Sequence, residues 1–303
     1  IGGKIEEEGA LTVPARLINE YINNLPTDKV MLVGKENNLS VESENYHTNI
    51  KGLSSEDFPL IPQVLDDAYT HVDANDLRQA LSETLWAASA NETQPEISGL
   101  YFGFEDSKRR IAATDRYRLA ERTVKLKDPV INPKEVIIPS RTVSELYKIL
   151  GMGLKDVEIY FSESQVLFKF DETELISRLI DGQYPDYRQI VPKGFTTEVV
   201  LPREEFMHAL KAAALFAPES NNIQIEVGKD SLTVAASSVQ TGENVAKISA
   251  KVKGEASAAI FNFRYLLDCL VSLSEEQVVF KMINDASPAL LSPQGRDDYF
   301  YIV

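Results

Sequence analysis

The side chains best able to do chemistry are few and scattered. Three histidines, His47, His71 and His208, share no ligand spacing and have no cysteine beside them, which excludes the common zinc patterns. The single cysteine, Cys269, rules out an intramolecular disulfide and a multi-cysteine metal site. It falls in an apolar helical stretch, Tyr265 to Leu273, and reads as a small buried hydrophobe. Gly151-Met152-Gly153-Leu154-Lys155-Asp156 has neither the phosphate-loop nor the dinucleotide spacing. Asp115, within Thr114-Asp115-Arg116, has the chemistry of a general base, yet no partner acid or imidazole is implied near it. A carboxylate that stabilises a turn is the expected role. Asn91-Glu92-Thr93 matches a glycosylation sequon, which would be idle in a cytoplasmic chain. No cofactor and no metal are expected.

The elements that would position these residues belong to an ordinary globular chain. Its 303 residues are enough for two or three domains of about 100–150 residues each. Apolar residues make up 44% and charged residues 25%. The formal net charge of −15 repels phosphate at long range, which argues against adhesion to nucleic acid by general electrostatics. No apolar run approaches the roughly 18–20 residues that span a bilayer. The first residues, Ile1 to Glu8, are acidic where a signal peptide is basic and then apolar, so a reducing cytoplasm is the simple reading.

The chain repeats itself. Leu11-Thr12-Val13-Pro14-Ala15-Arg16 precedes a helical pattern from Leu17 to Leu25. Val136-Ile137-Ile138-Pro139-Ser140-Arg141 precedes another from Val143 to Leu150. Ala259-Ile260-Phe261-Asn262-Phe263-Arg264 precedes a third from Leu266 to Leu273. Each is a short strand, an Arg near a helix start, and then strands: 30–33, 39–42 and 47–51; 157–161, 166–170 and 175–179; 277–281, 289–291 and 299–303. A second kind of unit alternates with the first. His71 to Leu77 leads into a helix through Ala88, and Val199 to Phe206 into one through Ala217. Leu77, Ala80, Leu81, Thr84 and Leu85 form one helical stripe, and Phe206, Ala209, Leu210 and Ala213 another. Strands at 97–104, 110–114, 222–227 and 231–236 follow. Linkers are expected at 57–64 and 185–195. Short connections such as Lys35-Glu36-Asn37-Asn38 and Gly228-Lys229-Asp230 favour antiparallel hairpins over a parallel sheet. The expected class is α+β, with helices on antiparallel sheets. Three domains follow: residues 1–66, 67–192 and 196–303. The first carries only its second half, so about half a domain is expected to be lacking ahead of it.

Two motifs are specific: Ala112-Ala113-Thr114-Asp115-Arg116-Tyr117-Arg118-Leu119-Ala120, and Leu179-Ile180-Asp181-Gly182-Gln183-Tyr184-Pro185-Asp186-Tyr187. Both resemble signatures of the bacterial DNA polymerase III beta subunit, the sliding clamp. Leu11 to Arg16, the Asp57-Phe58-Pro59 turn and the repeat order fit as well, over essentially the whole chain. Two features depart from the family. Arg116-Tyr117 stands where Gly-His is usual, and the sequence stops at Tyr299-Phe300-Tyr301-Ile302-Val303, where relatives continue into a short tail.

The resemblance implies a DNA clamp fold in a non-catalytic processivity factor. Two subunits would close head to tail around duplex DNA, with helices lining the hole and sheets outside. The implied partners are the replicative polymerase, a clamp loader and other proteins with clamp-binding peptides. The positions matching the partner-peptide pocket are Ile97, Thr114, Arg116, Tyr117, Arg118, Leu119, Pro185, Gln189, Ile190, Pro288 and Ile302. DNA-facing cations are expected at Arg16, Arg78, Arg141, Lys148, Arg203, Lys211 and Arg264. The positions matching the dimer seam are Ile50 against Leu215 and Phe216. Two other readings stay open: a clamp-fold interaction scaffold that does not enclose DNA, and a hydrolase or transferase with a site between repeats.

Overall fold

A computed structural model of the chain describes residues 3–26, 29–57, 69–130, 132–217 and 219–303. The backbone divides into two compact units, residues 1–63 and 64–303. Most of the expected linker at 57–64, and with it Phe58 and Pro59 of the proposed turn, lies outside the described residues.

In the first unit, helix α1 (Ala15–Asn23) begins directly after Pro14. Strand Leu11–Thr12 pairs with Leu53–Ser54. Strands Met31–Lys35, Asn38–Ser43 and Tyr46–Lys51 form an antiparallel sheet. Its two hairpins turn through Glu36-Asn37 and Glu44-Asn45, with Glu36 and Glu44 at φ of 53° and 43°. Positive φ at the first turn residue matches the strand twist in two-residue hairpins. Val41 and Ile50 are buried.

Among its described residues the second unit carries four further helices of ten or more residues and a nine-stranded sheet. Helix α2 (Ala74–Thr84) is capped by Asp73, whose carboxylate accepts from the amides of Asn75 and Asp76. The short α3 (Pro95–Ser98) starts on a proline, whose missing N–H costs nothing in a first helical turn. The others are α4 (Ser140–Leu150), α5 (Arg203–Ala214) and α6 (Phe263–Ser272), the last capped by Asn262. Helix α2 packs on α4, and α5 on α6.

Strand order in the large sheet is 134–139, 99–105, 108–114, 119–125, 299–302, 290–293, 277–282, 197–202 and 251–254. The halves join where Leu119 pairs with Ile302 and Arg122 with Tyr299. Two four-stranded sheets complete the unit: 173–178, 165–170, 156–161 and 70–73, and then 242–249, 231–238, 222–227 and 257–262. Every strand pairing among the described residues is antiparallel, as the short connections require.

The helical stripes are buried as their period demands. Leu77, Ala80, Leu81, Thr84, Phe206, Leu210 and Ala213 are fully covered, and Ala209 nearly so. Leu85 is only partly buried, because α2 ends at Thr84 and tightens into a 3-10 turn at Leu85–Ala87. Ile97 is not in a strand, since Pro95 initiates a helical turn and the strand starts at Gly99. The helix predicted through Ala217 ends at Ala214. Strands 119–125, 242–249 and 251–254 were not predicted. The first interrupts its apolar pattern with Glu121 and Arg122, and the other two are largely solvent-facing.

Candidate functional site

The seam between the halves of the large sheet ends in a turn built by its own side chains. Asp115 Oδ1 accepts from the amides of Tyr117 (3.0 Å) and Arg118 (3.1 Å). Thr114 Oγ1 accepts from the amide of Arg116 (3.1 Å) and donates to the carbonyl of Arg118 (2.7 Å). These bonds hold Arg116 at a φ of 81°, a left-handed conformation uncommon for a residue with a side chain. Asp115 thus has the turn role expected of it.

Arg118 fixes the turn to the last repeat. Its guanidinium pairs with Asp115 and Asp268, donates to the carbonyl of Trp86, and lies over the Trp86 and Tyr265 rings at 5.2 and 4.7 Å. Burial opposes its charge, but the bond to Asp268 and the field of Asp115 outweigh burial and hold its pKa above the ordinary value.

On the sheet face opposite the main core, Tyr101, Tyr184 and Tyr187 pack in mutual ring contact at 5.4–6.1 Å. Ala112, Leu119, Ile137 and Ile302 complete this second cluster. The segment that brings Tyr184 and Tyr187 onto the sheet begins with the amide of Ile180 donating to the carbonyl of Ile137. It turns at Gly182 (φ 146°), where a Cβ would stand 3.0 Å from Glu96 Cγ. Tyr187 donates to the buried carboxyl of Glu121. Burial raises the Glu121 pKa, against the lowering effects of the Tyr187 bond and the charges of Arg110 and Arg188.

Two open cavities flank the turn, each of about 300 Å³. The first has an apolar floor of Leu119, Ile190, Ile260, Phe261, Ile302 and Val303, with Pro288 and Asp285 on its edge. The second is walled by Ile97, Pro185, Tyr187 and Ile190, with Gln94, Glu96, Gln183 and Asp186 around it. Thr114, Arg116 and Ile190 belong to both. Such an arrangement, apolar pockets with a polar rim, can hold the side chains of a short extended peptide. Among the described residues no group of three or more His, Cys, Asp or Glu side chains is placed to hold a metal.

Comparison with known proteins decides the family. The sequence profile of the DNA polymerase III beta subunit matches in three parts: its N-terminal domain over residues 2–62, its central domain over 71–186, and its C-terminal domain over 188–303. The chain belongs to the DNA polymerase III beta subunit family. It is 31% identical over 303 residues to the beta sliding clamp of Staphylococcus aureus, covering 99% of this chain and 80% of that protein. The beta sliding clamp of Staphylococcus epidermidis is 30% identical over 304 residues, with the same coverage. The crystal structure of the DNA polymerase sliding clamp from Bacillus subtilis superposes with a TM-score of 0.94 at 28% identity, covering 99% of this chain and 80% of that one. The α+β clamp fold read from the sequence is therefore the fold of the chain, and its function is that of a non-catalytic processivity factor of DNA polymerase. An enzyme with a site between repeats is not supported.

Of the residues expected at the peptide pocket, Thr114, Arg116, Tyr117, Arg118, Leu119, Ile190, Pro288 and Ile302 line the first cavity, and Ile97 and Pro185 the second. Gln189 lines neither; its amide donates to Asp186 Oδ2 at 2.8 Å. Sequence reasoning missed Ile260, Phe261 and Val303. The signal for Ile260 and Phe261 is the strand leading into the third repeat's helix, and for Val303 the last predicted strand, 299–303.

The expected DNA-facing cations divide. Arg78, Arg141, Lys148, Lys211 and Arg264 are exposed on α2, α4, α5 and α6. Arg78 lies over the Tyr147 ring at 4.9 Å, and Lys148 pairs with Glu145 at 2.8 Å. Arg16, on α1, is exposed and pairs with Glu20 at 2.7 Å. Arg203 departs from expectation. Its guanidinium donates to the carbonyls of Glu275 and Leu270, both at 3.0 Å, tying α5 to the end of α6 rather than facing solvent. At the positions matched to a dimer seam, Ile50 is buried, Leu215 is 71% exposed and Phe216 is half-buried.

A buried ion network was not foreseen. Glu83, 1% exposed at the end of α2, accepts from Arg296 at 2.9 and 3.1 Å and meets Arg122 Nε at 3.1 Å. Asp298 and Glu275 complete it. Burial opposes the charge of Arg296, yet its bonds to Glu83 and Glu275 leave its pKa raised.

Proposed function

We propose that this processivity factor works as a homodimeric ring around duplex DNA in the cytoplasm and holds its polymerase through the paired cavities at the end of the repeat seam. The observation that carries the second part is the sharing of Thr114, Arg116 and Ile190 by two adjoining cavities, one with an apolar floor. A linear peptide with large apolar side chains fits this geometry, and the clamp loader and other partners would compete for the same groove. Arg16, Arg78, Arg141, Lys148, Lys211 and Arg264 would face phosphate without reading bases, which suits sliding. Arg203 is assigned to the fold instead. Because the net charge is −15, retention would come from enclosure rather than from general attraction. Leu215 and Phe216 on one subunit, against the sheet bearing Ile50 on the other, would close the ring; symmetric copies bury such patches in oligomers.

The groove is tested with a fluorescent octapeptide carrying large apolar residues towards both ends. Ile190 is 53% exposed and belongs to both cavities, so Ile190→Asp removes apolar surface from each without entering the core. Binding by the wild-type protein and its loss in this variant, with an unchanged circular dichroism spectrum, is the expected result. Equal binding by both proteins would place the partner site elsewhere.

A further inference from the structure

One segment supplies a wall to both cavities. Pro185, Asp186, Tyr187 and Ile190 line the second cavity, and Ile190 also lines the first. The 3-10 turn Tyr187–Gln189 sets the position of Ile190, whose amide donates to the carbonyl of Tyr187 at 3.1 Å. The place of Ile190 therefore follows that of Tyr187. Tyr187 is seated on the sheet by ring contacts with Tyr101 and Tyr184 and by the bond from its hydroxyl to the carboxyl of Glu121. Apolar contacts are non-directional, whereas a hydrogen bond weakens steeply with misalignment. The Glu121 bond is thus the part of this seat that fixes a position.

Glu121 and Tyr187 are 8% and 5% exposed, so neither has free access to water in place of the other. Burial and the charge of Glu121 keep the Tyr187 hydroxyl protonated, which makes it the donor. Strand 108–114 brings Arg110 towards Glu121, strand 99–105 brings Glu105, and the 3-10 turn brings Arg188; strand 299–302 opposes it with Phe300. Both cations pair with Glu105, at 2.7 and 3.4 Å. Among the described residues Tyr187 is the one side-chain donor bonded to the Glu121 carboxyl. Glu121 itself lines neither cavity.

We propose that Glu121 is a positioning residue of this clamp: through Tyr187 it holds Ile190 where the two cavities meet, and so couples peptide binding to the protonation of a carboxyl that the peptide does not touch. The inference rests on the reading of the cavities as a peptide groove. An ionised acceptor makes the stronger bond, so Tyr187 is held more firmly when Glu121 is charged. A peptide that needs Ile190 in place binds better to that form, and its binding releases a proton. Burial raises the Glu121 pKa above the ordinary 4.5, so affinity falls as pH drops through the raised value.

The test uses an uncharged octapeptide with large apolar residues towards both ends, acetylated, amidated and labelled with a dye that does not titrate. Anisotropy gives its affinity for the whole chain from about pH 5 to 8. In the wild-type protein affinity rises with pH by about fivefold over this range. Glu121→Gln keeps an acceptor for Tyr187 but has no proton to lose. It binds within about twofold of the wild type at the upper pH, and its profile lacks the rise. The rim carboxylates Asp186, Asp285 and Glu96 are present in both proteins, so the difference between the profiles belongs to Glu121. Glu121→Leu strands the Tyr187 hydroxyl and weakens binding about tenfold. Adding Tyr187→Phe removes both polar groups and recovers most of that loss. Identical profiles in the wild type and Glu121→Gln, or Glu121→Leu binding as tightly as the wild type, overturn the proposal. If Glu121→Leu does not fold, the two profiles decide alone. Wild-type binding that is lost in Ile190→Asp, with the two profiles the same, leaves the groove standing and removes Glu121 from its working. If no peptide binds the wild-type protein, both readings fall.

Discussion

Arg109 is wholly buried in the core between the large sheet and its helices, and replacing it should stabilise the protein. Among the described residues its three guanidinium nitrogens have no hydrogen-bond partner. Its compensation among the described residues is the faces of Phe102 and Phe104, at 5.6 and 5.8 Å. Burial disfavours its charged form and lowers its pKa. Even after relaxation, an unpaired ion in a protein interior costs several kcal/mol. The ring contacts return about 2 kcal/mol. Arg109→Met keeps much of the side-chain length, removes the charge and retains favourable contact with the rings. A gain of about 1–3 kcal/mol follows, consistent with apolar replacement of buried ions elsewhere. In a unit of this size it raises Tm by roughly 3–10 °C.

The guanidinium keeps its proton in both folded and unfolded chains across the accessible pH range. The gap between Arg109→Met and wild type, measured by urea unfolding, should therefore persist unchanged from pH 7 to 9. A variant less stable than wild type at pH 7 would refute the reasoning.

Three further outcomes follow from the same structure. Glu83→Ala strands Arg122 and Arg296 without their shared carboxylate, and should cost about 3–5 kcal/mol in urea unfolding, because a broken buried pair leaves charge uncompensated. Glu121 has a raised folded pKa, so its contribution to stability is full below the ordinary carboxylate value of 4.5 and is lost as pH rises through the folded value. Thermal scans of Glu121→Gln against wild type should therefore show the variant relatively more stable at pH 7 than at pH 4.5; an unchanged difference would contradict this. Asp115→Ala removes the acceptor for two turn amides and one partner of Arg118, and should weaken octapeptide binding more than it lowers Tm.

The sequence disclosed the fold where side chains repeat with a physical period. The stripes from Leu77 to Thr84 and from Phe206 to Ala213 name their helices and their buried faces, and the Pro-to-Arg helix starts at Arg16 and Arg141 expose the repeat. The candidate groove was legible through two motifs that resemble a family. Composition alone would not have joined Ile97 to Ile190, which are separated by an entire helix-and-sheet unit. What stayed hidden depends on long-range partners. Glu83 reads as an exposed helical carboxylate until Arg122 and Arg296 arrive from distant strands. Arg203 reads as a free cation until the carbonyls at the end of α6 claim it. Strand 119–125 carries charges on both faces because each face has its own buried acceptor or cation, which defeats a simple alternation rule.

Enclosure of DNA by the ring is tested most directly by retention after loading. The protein is loaded onto a nicked circular plasmid with a clamp loader, washed at moderate salt, and compared with the same plasmid linearised before the wash. Retention on the circle and loss from the free ends are expected, since a ring held by topology rather than by charge leaves only where the DNA ends. Equal loss from circle and line would contradict enclosure.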